Sequence, residues 1–121
     1  AMIAARGFLL AATLKSGFAR LAVSGVAALI GLQAAMIDHA LTLLKPGGRL
    51  VFCTCSLLFD EGERQAKTAM ARHGLTEIET NLKGVEPAWR SRVGGLRLSP
   101  SYWADRGGMD GFFMIAMRKP E

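Results

Sequence analysis

A Pro-Gly-Gly turn at residues 46–48 constrains this chain more than any other feature of its sequence. Before the turn, apolar residues recur at spacings of three and four along residues 29–44, which is the pattern of an amphipathic helix. Pro46 cannot continue the helical hydrogen-bond ladder, and glycine readily adopts the positive φ found where helices end. The sequence therefore predicts that the helix stops here and that a different element begins.

The residues after the turn are predicted to form a buried strand over residues 49–55. Residues 50–52, Leu-Val-Phe, form a continuous apolar run rather than an alternating one, as expected of a strand covered on both faces. The run ends on Thr-Cys-Ser at residues 54–56. Ligands of open α/β sheets bind at the carboxyl ends of strands. A thiol at such an end is therefore the first candidate for chemistry.

The rest of the chain alternates between helical and extended patterns. We expect a helix over residues 61–73 and strands over residues 75–80, 96–98 and 111–119. The Ala-rich residues 1–28 predict one or two short helices. The order of helix, strand, helix, strand and strand predicts an α/β fold in which a parallel sheet ends in an antiparallel hairpin.

The composition fits one domain with a polyanionic partner. The chain has 121 residues and a formal net charge of +5. A basic balance favours a partner such as RNA, although a merely basic protein is the alternative. The hydrophobic share is 50%, which favours an apolar surface that is covered by a partner or a further domain.

The cysteines indicate reduced thiols and a cytoplasmic setting. Cys53 and Cys55 are the two cysteines of the chain, and they have neither a C-x-x-C nor a zinc-ligand spacing. His39 and His73 are isolated, so no metal site is predicted. We also expect no contact with a membrane, because basic residues at positions 6, 15 and 20 interrupt the N-terminal apolar region. A span needs about 20 consecutive apolar residues.

Five short motifs follow one another along the chain. They are Leu-Leu-Lys-Pro-Gly-Gly at 43–48, Thr-Cys-Ser at 54–56, Asp-Glu-Gly-Glu at 60–63, Leu-Arg-Leu-Ser-Pro at 96–100, and Gly-Gly-Met-Asp-Gly-Phe-Phe at 107–113. Together they resemble the C-terminal part of the Sun (Fmu) family of RNA cytosine-5 methyltransferases. The first motif is common to class I methyltransferases. Thr-Cys-Ser followed at this distance by Asp-Gly-Phe-Phe is more specific.

The resemblance implies the C-terminal half of a Rossmann-like class I methyltransferase sheet. It also implies S-adenosylmethionine as the cofactor, and RNA, with rRNA as the expected kind, as the substrate. The nucleophile of the family is the cysteine of Thr-Cys-Ser, which corresponds to Cys55. With it we assign Thr54, Ser56, Glu61 and Arg97 to substrate binding.

Other roles stay open for these residues. Cys55 could be a small apolar residue at a strand end. Cys53 is expected to face away from Cys55 and is interpreted as a packing residue. Asp60, Glu61 and Glu63 could instead stabilise a helix N-terminus, where acids complement the macrodipole. Arg97 could contact a phosphate or be a solvated strand residue.

The chain also departs from the family pattern. It contains neither the Gly-rich strand–turn that binds the cofactor nor the Pro-Cys motif of an earlier strand. We therefore divide it into an atypical helical segment, residues 1–28, and the C-terminal part of a methyltransferase catalytic domain, residues 29–121. As a fragment without the cofactor-binding half, it is expected to bind no S-adenosylmethionine and to be inactive alone.

A missing half-sheet has a consequence for association. The strand over residues 49–55 is expected to expose an apolar edge, and such an edge invites pairing with another chain. We therefore expect a homo-oligomer that buries this edge. Two other functions stay open: a non-catalytic RNA-binding or oligomeric module derived from such an enzyme, and a thiol-dependent enzyme unrelated to methylation.

Overall fold

The computed structural model describes Leu9, Ala12, Thr13 and residues 16–79 and 81–121. Its helices are α1 (Gly17–Leu43) and α2 (Glu63–His73), and its strands are β1 (Arg49–Thr54), β2 (Thr76–Glu77), β3 (Leu96–Leu98) and β4 (Phe112–Arg118). Two short 3₁₀ helices cover Pro87–Trp89 and Ala104–Arg106. Most of the helical prediction for residues 1–15 lies outside the described residues.

Helix α1 is longer than the sequence predicted. It begins after Ser16, whose side chain accepts a hydrogen bond from the Ala19 N–H at 3.4 Å, and it runs without a break to Leu43. The predicted helix over residues 29–44 is therefore its second part. The helix is continuous across residue 28. The division of the chain into two segments at that residue stays a prediction.

Helix α1 also changes the expectation about membranes. It carries no charged residue between Arg20 and Asp38, and by length and composition alone it could cross a membrane. Only 17% of its most apolar window is buried. One such helix near the N-terminus is a weak indication, since core helices and signal sequences share these properties.

The sheet is antiparallel in every pairing among the described residues. Strand β4 lies in the middle, with β1 along one edge and both β2 and β3 along the other. The predicted parallel pairing is therefore not present in these strands. Strands β1 and β2 do run in the same direction, because each opposes β4. The final strand separates them, and no local pattern in the sequence indicates that insertion.

The core lies between one face of this sheet and the two helices. Along β4, alternate side chains are almost fully buried: Phe113, Ile115 and Met117. They pack in one cluster with Ile37 and Leu41 of α1 and with small residues of α2. Burying each large apolar side chain stabilises the fold by roughly 1.5–3 kcal/mol. The cluster thereby holds β4, α1 and α2 together.

Strand β1 is covered on one face only, which corrects the prediction of a strand buried on both faces. Leu50 and Phe52 pack against the core, whereas Val51 is 65% exposed and Cys53 is exposed. The continuous apolar run hides this alternation. Its outer face is exposed at Val51 and Cys53, and its second edge pairs with no strand that the structure describes.

Candidate functional site

The Thr-Cys-Ser loop leaves the sheet at the carboxyl end of β1, as predicted. Two hydroxyl groups shape its backbone. The Ser56 N–H donates to Thr54 Oγ1 at 3.2 Å, and the Leu58 N–H donates to Ser56 Oγ at 3.1 Å. Such local side-chain bonds favour a turn over a continued strand. Thr54 and Ser56 therefore fix the path of the chain on both sides of Cys55.

Both thiols of the chain are exposed and free. Cys53 lies on the exposed face of β1, so its interpretation as a packing residue was wrong. The expectation that it faces away from Cys55 was wrong as well, since residues two apart in an extended chain project to the same side. The exposed positions 51, 53 and 55 follow this period. Exposure makes the Cys55 thiol accessible to a substrate.

Arg97 connects β3 to this loop. Its guanidinium donates from Nε to Glu63 Oε1 at 2.8 Å and from Nη2 to Glu63 Oε2. From Nη1 it also donates to the carbonyl of Ser56 at 2.6 Å. The Arg97 side chain is 18% exposed and that of Glu63 is 7% exposed. This is a sheltered, bidentate ion pair that also holds the backbone next to Cys55.

The ionisation of Glu63 follows from these contacts. Burial disfavours the carboxylate and by itself raises the pKa of Glu63. Hydrogen bonds from Arg97 and from the Glu63 backbone, with the charge of Arg97, outweigh that penalty and hold the pKa below its ordinary value of 4.5. Glu63 is therefore a carboxylate at neutral pH. From the sequence Glu63 was interpreted only as a helix-capping acid, and its pairing with Arg97 was not predicted.

Glu61 lies in the turn between the loop and α2. It is 8% exposed, and its backbone N–H donates to the Leu58 carbonyl at 3.1 Å. Within the part of the chain that the structure describes, its carboxylate has no hydrogen-bond partner. A sheltered carboxylate without a partner in the protein can accept hydrogen bonds from a bound ligand.

The late Asp-Gly-Phe-Phe motif meets the Thr-Cys-Ser loop. A Cβ at Gly111 would overlap the Leu57 side chain, with Leu57 Cγ 2.9 Å away. The ring of Phe113 lies under the Arg97 guanidinium, 5.1 Å from its carbon. Gly62 leaves room for both, since a Cβ there would overlap Arg97 and lie 3.2 Å from Phe113. Four of the five motifs identified in the sequence thus meet at one site, whereas the Pro-Gly-Gly turn lies at the opposite, amino-terminal end of β1.

The groove beside β1 does not offer the groups that hold an adenosyl cofactor. The groove of about 390 Å³ beside β1 is lined by apolar side chains together with Gln33 and Cys53, and it has no carboxylate for ribose hydroxyls. None of the residues described here forms a cluster of His, Cys, Asp and Glu that could hold a metal ion. The site itself offers a thiol, carboxylates and a guanidinium.

The fold and the site place the chain among the methyltransferases. It is similar to the crystal structure of a methyltransferase homolog protein from Pyrococcus horikoshii, with a TM-score of 0.59 and 33% identity. That match covers 75% of this chain and 31% of the other. The family model described as 16S rRNA methyltransferase RsmB/F matches residues 20–118, so the chain belongs to this family. The predicted resemblance is confirmed at that level.

Curated relatives carry names consistent with the family. A Ribosomal RNA small subunit methyltransferase B from Thermus thermophilus is 31% identical over 100 residues, which are 83% of this chain and 23% of that protein. A protein of the same name from Shewanella oneidensis is 31% identical over 88 residues, which are 73% of this chain and 19% of that protein. The chain thus spans about a fifth of the length of these relatives.

Proposed function

We propose that this chain supplies the nucleophile-bearing part of an RNA cytosine-5 methyltransferase that acts on rRNA, with Cys55 as the nucleophile. One observation carries the proposal. Cys55 is an exposed thiol at the carboxyl end of β1, in a loop held by hydroxyl groups and by Arg97. Membership of a family of rRNA methyltransferases supports the reaction class.

The chemistry explains why a thiolate is required. Carbon-5 of cytosine is too weak a nucleophile to accept a methyl group unaided. Addition of the Cys55 thiolate to carbon-6 forms an S–C6 bond and moves an electron pair to carbon-5. Carbon-5 could then accept the methyl group of a sulfonium donor, whose S–CH3 bond would break to leave a neutral thioether. Loss of the carbon-5 proton to a base breaks the S–C6 bond and restores the thiolate. The target base must first leave its stack to reach the thiol.

The neighbouring residues are proposed to bind the RNA substrate. Glu61 has a free carboxylate that suits the exocyclic amino group of cytosine, and the hydroxyls of Thr54 and Ser56 flank the nucleophile. Arg97 uses three of the five N–H groups of a guanidinium on Glu63 and Ser56. A phosphate contact, which is the alternative role of Arg97, would use the other two. These four assignments follow the family pattern.

The methyl donor is proposed to bind outside the described residues. Methyltransferases of this family generally use S-adenosylmethionine, and the groove beside β1 lacks the groups to hold it. We therefore propose that the 121-residue chain neither binds the cofactor nor turns over by itself. Calorimetry with S-adenosylmethionine tests this, and micromolar binding would contradict it. The reaction with rRNA favours a cytoplasmic setting.

A second candidate function is a non-catalytic RNA-binding or oligomeric module. The absence of a carboxylate from the lining of the groove beside β1 favours it. We propose in either case that two or more copies associate through the free edge of β1, where Val51 is 65% exposed. The candidates differ in one respect, since only the enzyme requires a reactive thiol at position 55.

A chimaera tests the enzyme proposal. The aligned segment of the Thermus thermophilus relative is replaced by this chain, and the product is incubated with S-adenosylmethionine and RNA that contains 5-fluorocytosine. Release of the enzyme requires loss of a proton from carbon-5, and fluorine at that position cannot be lost as a cation. The S–C6 bond therefore persists and a covalent adduct accumulates. Cys55→Ala is expected to abolish the adduct, and the matched control Cys53→Ala to retain it. An adduct that survives Cys55→Ala would refute the assignment.

A further inference from the structure

We propose that Arg97 and Glu63 form a clamp that positions the Cys55 nucleophile by holding the backbone of Ser56. The clamp is defined here as the two side chains and the Ser56 carbonyl. This inference rests on the proposed function of Cys55. It gives Arg97 a positioning role that no contact with RNA is needed to explain.

The backbone of Ser56 is held from both sides. Its N–H donates to Thr54 Oγ1 at 3.2 Å, and its carbonyl accepts from Arg97 Nη1 at 2.6 Å. Ser56 directly follows Cys55, so the peptide that leaves the nucleophile cannot rotate without breaking one of these bonds. An exposed loop residue would otherwise be free to move.

Arg97 is itself immobilised. Its guanidinium forms a bidentate ion pair with Glu63. The same group lies over the ring of Phe113, which is 0% exposed. The backbone of Gly62 packs so closely against the guanidinium that a Cβ at this position would overlap it. Rotation of Arg97 would leave the Glu63 carboxylate unpaired in a sheltered site, which is costly. The clamp therefore links the Ser56 backbone to the packed core.

The alternative is an ion pair that only stabilises the fold. Arg97→Lys separates the two, because lysine keeps the charge opposite Glu63 but cannot form the fork that reaches two partners. In the 121-residue chain, hydrogen exchange at the Ser56 and Leu58 amides reports the loop. Exchange at Ile115, which pairs with Phe52 in the sheet, reports global stability.

We expect Arg97→Lys to speed exchange in the loop by about tenfold and at Ile115 by less than about twofold. Equal changes at both places, or none in the loop, would overturn the clamp. In the Thermus chimaera, the same variant should lower kcat by about tenfold with KM for RNA nearly unchanged. A raised KM with unchanged kcat would instead assign Arg97 to a phosphate.

The exchange measurement and the chimaera experiment test different proposals and can fail independently. If the unmodified chimaera forms no adduct, or if Cys55→Ala keeps activity, the proposed function fails. The exchange measurement then still decides whether Arg97 orders the loop. If the chimaera is active and exchange in the loop does not respond to Arg97→Lys, only the clamp is refuted.

Discussion

Arg97 donates a hydrogen bond to the carbonyl of Ser56, which lies 41 residues earlier in the chain. This bond joins the short strand β3 to the loop that carries the exposed thiol. It explains why an Arg-Leu-Ser-Pro motif and a Thr-Cys-Ser motif occur in one chain without being neighbours in sequence. The motifs are parts of a single packed site.

Replacing Gly62 by alanine should destabilise the protein, because a Cβ at this position would overlap Arg97 and press on Phe113. We expect a loss of about 1–3 kcal/mol in the free energy of unfolding, as in other overpacked sites. Denaturant titration measures it. The matched control is Gly25→Ala in helix α1, where nothing lies within 4 Å of the added Cβ. That variant should gain up to about 1 kcal/mol, and equal losses in both would contradict the close packing at Gly62.

Stability should fall in acid partly through Glu63. The folded protein holds the pKa of this carboxyl below its ordinary value of 4.5. Its contribution is therefore fully present above pH 4.5 and is lost as the pH falls through the lower folded value. Glu63→Gln should cost roughly 3 kcal/mol at pH 7, because Arg97 loses its sheltered partner.

Denaturation curves measured from neutral to acidic pH test that prediction, and Glu63→Gln should flatten the acid dependence. Asp38→Asn is the control. Burial raises the pKa of Asp38, but His73 and Arg72 outweigh this and lower it. The Asp38 side chain is 43% exposed, so solvent screens the pair and the change should be small. A larger acid effect for Asp38→Asn would argue against the special role of Glu63.

The one-sided burial of β1 predicts opposite outcomes at adjacent residues. Phe52→Ala should cost about 3 kcal/mol, because its ring packs against the core and meets Phe113 at 6.4 Å. Val51→Thr should change the free energy of unfolding by less than about 0.5 kcal/mol, as substitutions at exposed sites do. Denaturant titrations of both variants give the comparison. Similar costs would mean that both faces of the strand are covered.

If copies of the chain associate through the free edge of β1, a charged residue introduced on this strand should weaken the association. The wild-type chain should scatter light at micromolar concentration as a particle heavier than its 13.0 kDa. Val51→Lys should shift it to the monomer, because a lysine on an exposed strand opposes edge-to-edge pairing. Thr68→Lys, at an exposed position of α2, serves as the control and should leave the mass unchanged. A wild-type monomer would refute association.

Local signals were enough to predict much of the chain. The end of α1 before Pro46, the strand after Gly48 and the end of α2 before Gly74 all lie within about two residues of their predicted places. Gly74 takes the left-handed conformation, with φ of 63°, that the sequence pattern indicates. These boundaries depend on a few adjacent residues, so no distant contact is needed to define them.

The candidate site was predicted in its parts but not in its connections. Thr54, Cys55 and Ser56 lie at a strand end, as expected. The partnership of Arg97 with Glu63 was missed, because each residue alone has an ordinary local role as a strand cation or a helix-terminal acid. The spacing between the two motifs was the one available signal, and it gives no geometry.

The sequence by itself therefore determined where α1 ends, where β1 begins, where α2 ends and which thiol follows a strand. Only the tertiary structure decided that β4 lies between β1 and β2 and that one face of β1 is open. It also decided that Arg97 holds the loop beside Cys55. The physical reason is range. Proline, glycine and hydrophobic periodicity act on neighbouring residues, whereas strand order and ion pairing depend on contacts between residues far apart in the chain.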